Sequence, residues 1–166
     1  QDLSQIRQFQ ETIKHLSLNQ FSAIDECNFH LNEAPRYGYA PRGKKAISRS
    51  PGSKGGSYSL IIWAASKEKQ GIIHYELVEK RVNTKVFHDF LVNANAHFEK
   101  ENHLLLDNAS IHRAPKKRKE LGLPTIEEQL TPKNSIPTYL PSHSPQFNPV
   151  ELLFNTIRHN IEKARA

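Results

Sequence analysis

The chain of 166 residues has one cysteine, one tryptophan and no methionine. A single thiol, Cys27, excludes an intrachain disulfide and a zinc site built on cysteine pairs. No apolar run approaches the roughly 20 residues that a membrane-spanning helix needs, so no membrane partner is expected. The N-terminus lacks the basic-then-apolar pattern of a secretory signal. A sequence that starts at Gln1 without any methionine is expected to be a piece of something longer. Acidic residues are missing altogether from residues 34–59, and that absence leads to what the chain does contain.

That stretch carries Arg36, Arg42, Lys44, Lys45, Arg49 and Lys54, with Tyr37, Tyr39 and Tyr58 among them. Cationic side chains meet phosphates and aromatic rings stack on bases, so the mixture suits nucleic acid. Composition alone allows a merely solvated basic loop equally well. Over the whole chain 23 Lys and Arg stand against 17 Asp and Glu, a net charge of +6 that favours a polyanionic partner. With 37% hydrophobic and 24% charged residues the chain is long enough and apolar enough for one domain with one core.

Residues 1–20 place Leu3, Ile6, Phe9, Ile13 and Leu16 at helical spacing, which predicts an amphipathic helix. Phe21 to Leu31 reads as a first strand carrying Asp25 and Glu26. A basic loop or hairpin over 34–58 follows. Ser59–Ala65 and Gly71–Val78 are apolar strands with a short polar connection, hence an antiparallel hairpin. Asn83 or Thr84 caps a helix running to about Lys100, with Val86, Phe87, Phe90, Leu91, Ala94 and Phe98 on one face and His88 and His97 at the surface. His103 to Asp107 is the next strand, and a helix between strands suits a parallel crossover. A turn and one short basic helix ending near Gly122 come next. Residues 122–135 read as an irregular insertion, and Ile136–Leu140 as a strand near a sheet edge. Asn148 and Pro149 open a last helix with Val150, Leu153, Phe154, Ile157 and Ile161 facing inward.

Three carboxylates then have comparable placement. Asp25 lies on the first strand, Asp107 at the end of a buried one, and Glu151 in the first turn of the last helix. Acids held together repel and need cations between them. Magnesium takes hard oxygen ligands, often one or two carboxylates plus phosphate, and paired ions suit phosphoryl displacement. Each acid also has a plain structural use. Asp25 can end its strand, Asp107 followed by Asn108 can form an Asx turn, and Glu151 can close a capping box on Asn148. Asn108 can orient substrate or only make the turn, and His112 can touch the site or cap a helix.

LLLDNASIHRA and YLPSHSPQFNPVELLFNTIR resemble the second and third catalytic motifs of the mariner superfamily of DDE transposases, which includes bacterial insertion-sequence transposases. FSAIDECNFHL resembles the first motif, and WAASKEKQGIIHYELV the hairpin between them. The likeness covers residues 19–163. It implies an α/β, RNase-H-like (retroviral-integrase-like) fold: a mixed five-stranded sheet flanked by helices. Asp25, Asp107 and Glu151 would be catalytic and would bind two Mg2+ or Mn2+ ions. Glu26, Asn108 and His112 would support the site. Arg36, Arg42, Lys44, Lys45, Arg49 and Lys54, with Lys116, Lys117 and Arg118 of the basic helix, would contact DNA. Residues 21–166 would form the catalytic domain, with a basic loop at 34–58 and an insertion at 122–135. Residues 1–20 would be a helix or linker from a DNA-binding region not included here. The separation of Asp107 from Glu151 exceeds the family's usual spacing, and the 122–135 stretch absorbs the difference.

The implied function is Mg2+-dependent cleavage and joining of DNA strands, acting on transposon ends and target as a homodimer. The competing readings are a catalytically inactive DNA-binding remnant and an RNase-H-like nuclease without strand transfer. The expected compartment is intracellular: cytoplasm and nucleoid in a bacterium, nucleus in a eukaryote.

Overall fold

The computed structural model describes residues 3–31, 38–47, 55–65, 71–97 and 102–164. Five strands form one sheet: β1 (Phe21–His30), β2 (Ser57–Ala65), β3 (Ile72–Glu79), β4 (Asn102–Leu106) and β5 (Ser135–Tyr139). Their spatial order is β3-β2-β1-β4-β5. The first three are antiparallel neighbours, whereas β4 runs parallel to β1 and β5 parallel to β4. Around them lie α1 (Leu3–Ile13), α2 (Thr84–Asn93), α3 (Ser110–Arg113), α4 (Pro115–Glu120), α5 (Ile126–Leu130) and α6 (Val150–Ala164). This is the mixed, helix-flanked sheet that the resemblance implied.

The central strands read as continuous apolar runs because both faces of the sheet are covered. On one face Ile24, Ile61, Trp63, Leu104 and Leu106 meet Phe87, Phe90 and Leu91 of α2 and Ile126 and Leu130 of α5. On the other, Ala23, Cys27, Ile62, Ala64 and Leu105 lie under Phe9 of α1 and Val150 and Phe154 of α6. Successive residues of a strand serve opposite faces, and this alternation decides which acid points where. Pro137 sits in β5, the edge strand, where the missing N–H breaks no further ladder.

Asn83 caps α2, its Oδ1 accepting from the N–H groups of Lys85 (2.9 Å) and Val86 (3.1 Å). Regular helix ends at Asn93 and a 3-10 turn follows over Ala94–His97, while the expected end at Lys100 lies outside the described residues. Asn93 and Asn95 are weak helix formers, and 3-10 geometry commonly tightens a helix end. Phe98 lies outside the described residues. His88 is half-buried rather than a surface residue, with its Nδ1 3.1 Å from Gln129 Oε1. The basic helix is two helices, α3 and α4, because Pro115 disfavours helical geometry at Ala114 and starts a new helix of its own.

The 122–135 stretch is not irregular. Thr125 and Glu128 cap α5 reciprocally: the Thr125 N–H donates to Glu128 Oε2 at 2.8 Å and the Glu128 N–H to Thr125 Oγ1 at 3.1 Å. Ile126 and Leu130, one turn apart, are fully buried. The acidic pair that reads as a loop patch is the first turn of a helix, where negative charge is favoured. Among the described residues, no helix is long and apolar enough to cross a membrane.

Candidate active site

The parallel pairing of β1 with β4 matches Phe21 to His103 and Ala23 to Leu105. Two residues further along each strand are Asp25 and Asp107. Alternation puts both on the face of Ala23 and Leu105, the face covered by α6. Buried leucines pin β4, so Asp107 is delivered just beyond its C-terminal end. Val150 and Phe154 anchor α6 to that same face and leave Glu151 on its flank. The three acids meet in one cavity of about 420 Å3, which Asn108, Ser142, His143 and Asn148 also line.

Asp25 is half-buried and its carboxyl is held at both oxygens. Oδ1 accepts from the Glu26 N–H at 2.8 Å, and Oδ2 accepts from Nδ2 of Asn148 at 2.8 Å. Burial is the main force pushing its pKa from 3.8 to about 7, and the negative charges of Glu26, Asp107 and Glu151 push the same way. The Glu26 N–H opposes them without prevailing.

Asp107 goes the other way. Burial pushes its pKa up, but the hydrogen bond and positive charge of His112 and the N–H of Ala109 outweigh it, and the carboxyl sits below the ordinary 3.8. Nδ1 of His112 lies 2.7 Å from Oδ1 of Asp107, which also accepts from Ala109 N–H at 2.8 Å. The Asx turn anticipated for Asp107 therefore forms, and it engages Oδ1; among the described residues Oδ2 accepts no hydrogen bond. On the far side of the imidazole, Nε2 lies 2.8 Å from Oε1 of Glu26. Carboxyl groups at both ring nitrogens favour the doubly protonated form of His112. Burial alone would lower its pKa; the bonds to Asp107 and Glu26 and their charges raise it from 6.5 to about 10.

Glu151 does not close a capping box. The Asn148 N–H is taken by the Pro145 carbonyl at 2.9 Å, and the start of α6 is capped instead by Asn148 Oδ1, which accepts from Val150 N–H at 3.1 Å. Asn148 thus faces two ways, capping with its oxygen and holding Asp25 with its nitrogen. Sequence reasoning found the cap and missed the grip on Asp25. The available signal was chemical: an amide that caps through its carbonyl has two N–H donors left for something nearby.

Glu26 and Asn108 are also placed. Glu26 follows Asp25 and so falls on the opposite face, against His112 rather than in the cavity. Asn108 lines the cavity and donates to the Leu140 carbonyl, tying the segment after β4 to the end of β5. Arg42, Lys44, Lys45, Lys116 and Lys117 are exposed, and Lys117 pairs with Glu120 at 3.0 Å. Arg36, Arg49 and Lys54 lie outside the described residues. Arg118 is a correction to the expected DNA-facing set. It is 1% exposed, with Nε donating to the Pro124 carbonyl at 2.5 Å and a terminal nitrogen to Gln129 at 2.6 Å. It joins α4 to α5, and a buried guanidinium does not reach phosphate. The KKRK run hid this, because helical geometry turns one residue of four inward.

The donor set suits a hard divalent cation. Carboxylates share the cavity, and crowded negative charge helps Asp25 keep its proton; a cation relieves that crowding. Among the described residues, no group of three or more His, Cys, Asp or Glu forms a ready-made metal cluster. Each acid faces the shared space from its own wall, an arrangement that leaves room for substrate oxygens to complete a shell.

The model of the DDE superfamily endonuclease family matches residues 20–166. The chain belongs to the DDE superfamily endonucleases. This DDE endonuclease matches solved mariner structures over nearly its full length. One is the mariner Mos1 paired-end complex with Mg, at 23% identity over 95% of this chain and 47% of that one, TM-score 0.69. Another is the Mos1 transposase paired-end complex with left transposon end, at 21% identity over 96% and 47%, TM-score 0.70. A third is the catalytic domain of Mos1 mariner transposase, at 18% identity over 95% and 68%, TM-score 0.63. At these identities the likeness establishes the RNase-H-like fold. The chain spans about half the length of the transposases in those paired-end complexes. No curated protein matches the DDE endonuclease in sequence.

Proposed function

We propose that this chain is the catalytic core of a DNA transposase, which cuts DNA strands at the cavity of Asp25, Asp107 and Glu151 and joins the freed ends to target DNA. The observation that carries this reading is the meeting of three carboxylates, from three separate elements, in one cavity beyond the C-terminal end of β4. That position, outside the carboxyl end of a parallel strand, is where open α/β sheets commonly take their ligands.

Asp25, Asp107 and Glu151 would hold Mg2+ or Mn2+, two ions in the full reading, and Mos1 relatives were solved with each metal. When bound, such ions activate water and neutralise charge on a phosphate in flight. The chain's own part is placement. Asp107 offers a carboxylate ionised in advance by His112. Asn148 orients Asp25, and Asn108 fixes the wall of the cavity. The first reaction is hydrolysis of a phosphodiester, leaving a 3′-hydroxyl. The second is attack of that hydroxyl on a target phosphodiester, with one bond formed and one broken.

Transposon ends and target DNA are the proposed partners, approached through Arg42, Lys44, Lys45, Lys116 and Lys117, with two copies of the protein on the DNA. Such a substrate implies an intracellular site of action, the nucleoid or the nucleus. Nicking of supercoiled plasmid tests the core of the proposal. Nicking is expected with Mg2+ or Mn2+, to stop with chelator, and to disappear in Asp107→Ala. Persistent nicking in that variant would overturn the assignment. A pre-cleaved end that is hydrolysed but never joined would identify a nuclease, and salt-sensitive DNA binding without nicking would identify a remnant.

A further inference from the structure

Neighbouring acids on β1 have parted company. Asp25 enters the cavity, while Glu26, one residue on, points to the α2 side of the sheet, where its side chain is 10% exposed. What it meets there is His112, fully buried, with the ring of Phe87 centred 4.6 Å away. From that position the imidazole passes the end of β4 and reaches the carboxyl of Asp107 at 2.7 Å. A buried ring with acceptors on both nitrogens and an aromatic neighbour has little freedom to turn. Glu26 sits on the central strand of the sheet, paired with Ile61 of β2. Asp107 sits where regular strand has already ended.

We propose that Glu26 and His112 are positioning residues: a strut through the sheet that fixes the Asp107 carboxylate for metal binding, with Glu26 acting only through His112. The inference rests on the metal-site reading given above. Its physical basis is that a ligand held in one orientation by a second partner loses less freedom when it takes an ion. His112 and the Ala109 N–H both bond Oδ1, so the carboxyl plane is set and Oδ2 remains for a cation. Glu26 does not line the cavity, so it is not itself a ligand there.

Calorimetric titration of the folded chain with Mn2+, without DNA, tests the strut. Glu26→Ala and His112→Ala are each expected to weaken Mn2+ binding about tenfold, the low end of the loss for outer-shell partners. The double variant is expected to be no weaker than the weaker single, because the two residues act as one unit. Glu26→Gln keeps an acceptor for Nε2–H and is expected to return affinity to within about threefold of the parent. Circular dichroism confirms folding in every case. If His112→Ala does not fold, the comparison of Glu26→Ala with Glu26→Gln decides alone. Folded variants that bind Mn2+ like the parent, while Asp107→Ala does not, would leave a purely structural bridge and overturn the strut. Glu26→Gln as weak as Glu26→Ala, with additive losses in the double, would make Glu26 a direct ligand and overturn it too. Unchanged Mn2+ binding in Asp107→Ala would bring down the metal-site reading itself, and the strut with it.

Discussion

Asp25 and Asp107 are the same residue type, one on β1 and the other just past the end of its parallel neighbour β4, facing the same cavity, and the fold drives their protons in opposite directions. Asp25 holds its proton up to about 7, while Asp107 gives its own up below the ordinary value. Burial pushes both upward. The difference lies in their company: Asp107 has a buried imidazolium 2.7 Å away, whereas Asp25 has a neutral amide and three other carboxylates. One acid has its counter-charge built into the protein, and the other is left to find one in a ligand. A cation held as proposed in this cavity would thus need to balance only part of its charge.

The contrast breaks most sharply in the metal-free protein at pH 8. Asp107→Ala removes an acceptor from His112, and an unmet buried donor costs about 1–3 kcal/mol. Asp25→Ala removes a charge the fold holds at a cost, so its melting temperature is expected to match or exceed that of the parent. Equal destabilisation in the two variants would show that His112 does not distinguish the acids.

A second expectation concerns pH. Asp25 keeps its proton to about 7 in the fold and releases it near 3.8 when unfolded, so stability falls as pH rises between those values. His112 keeps its proton to about 10 folded against 6.5 unfolded. Its contribution is complete below 6.5 and is lost as pH rises through about 10. Thermal melts without metal should therefore decline steadily from mildly acid to alkaline pH. Mn2+ must displace the Asp25 proton, so its affinity at pH 6 should be about tenfold weaker than at pH 8. Calorimetry at the two pH values checks this, and equal affinities would mean Asp25 is already ionised or is not a ligand.

The smallest effect tests the neutral partner. Asn148→Ala removes the cap of α6, at about 1 kcal/mol. It also frees Asp25 Oδ2. Asn148→Ser keeps a capping oxygen but not the reach to Asp25, so it should recover the stability while leaving Mn2+ affinity as low as in Asn148→Ala. Recovery of both would reduce Asn148 to a cap.

Much of the fold was legible because its signals are local. SLIIWAA and HLLLD read as two-faced buried strands from their apolar runs, and Asn83 and Asn148 announced helix starts. The misreadings were also local in cause. The capping box of Thr125 and Glu128 is set amid prolines, so the stretch that forms α5 reads as a loop. Pro115 divides a helix that composition showed as one. Arg118 looked like its neighbours in KKRK until burial separated it.

At the site, the sequence by itself determined which acids occur and on which elements, since strand alternation and helix capping follow from a few neighbouring residues. It also put Asp25 and Glu26 on opposite faces, because consecutive strand residues must diverge. Tertiary structure alone decided their electrostatics. The register of β1 against β4, the approach of α6 and the passage of His112 beneath the end of β4 join residues 86 positions apart in Glu26 and His112. A carboxyl's proton affinity depends on burial and on charges within a few ångströms, and such distances are set when the chain closes on itself.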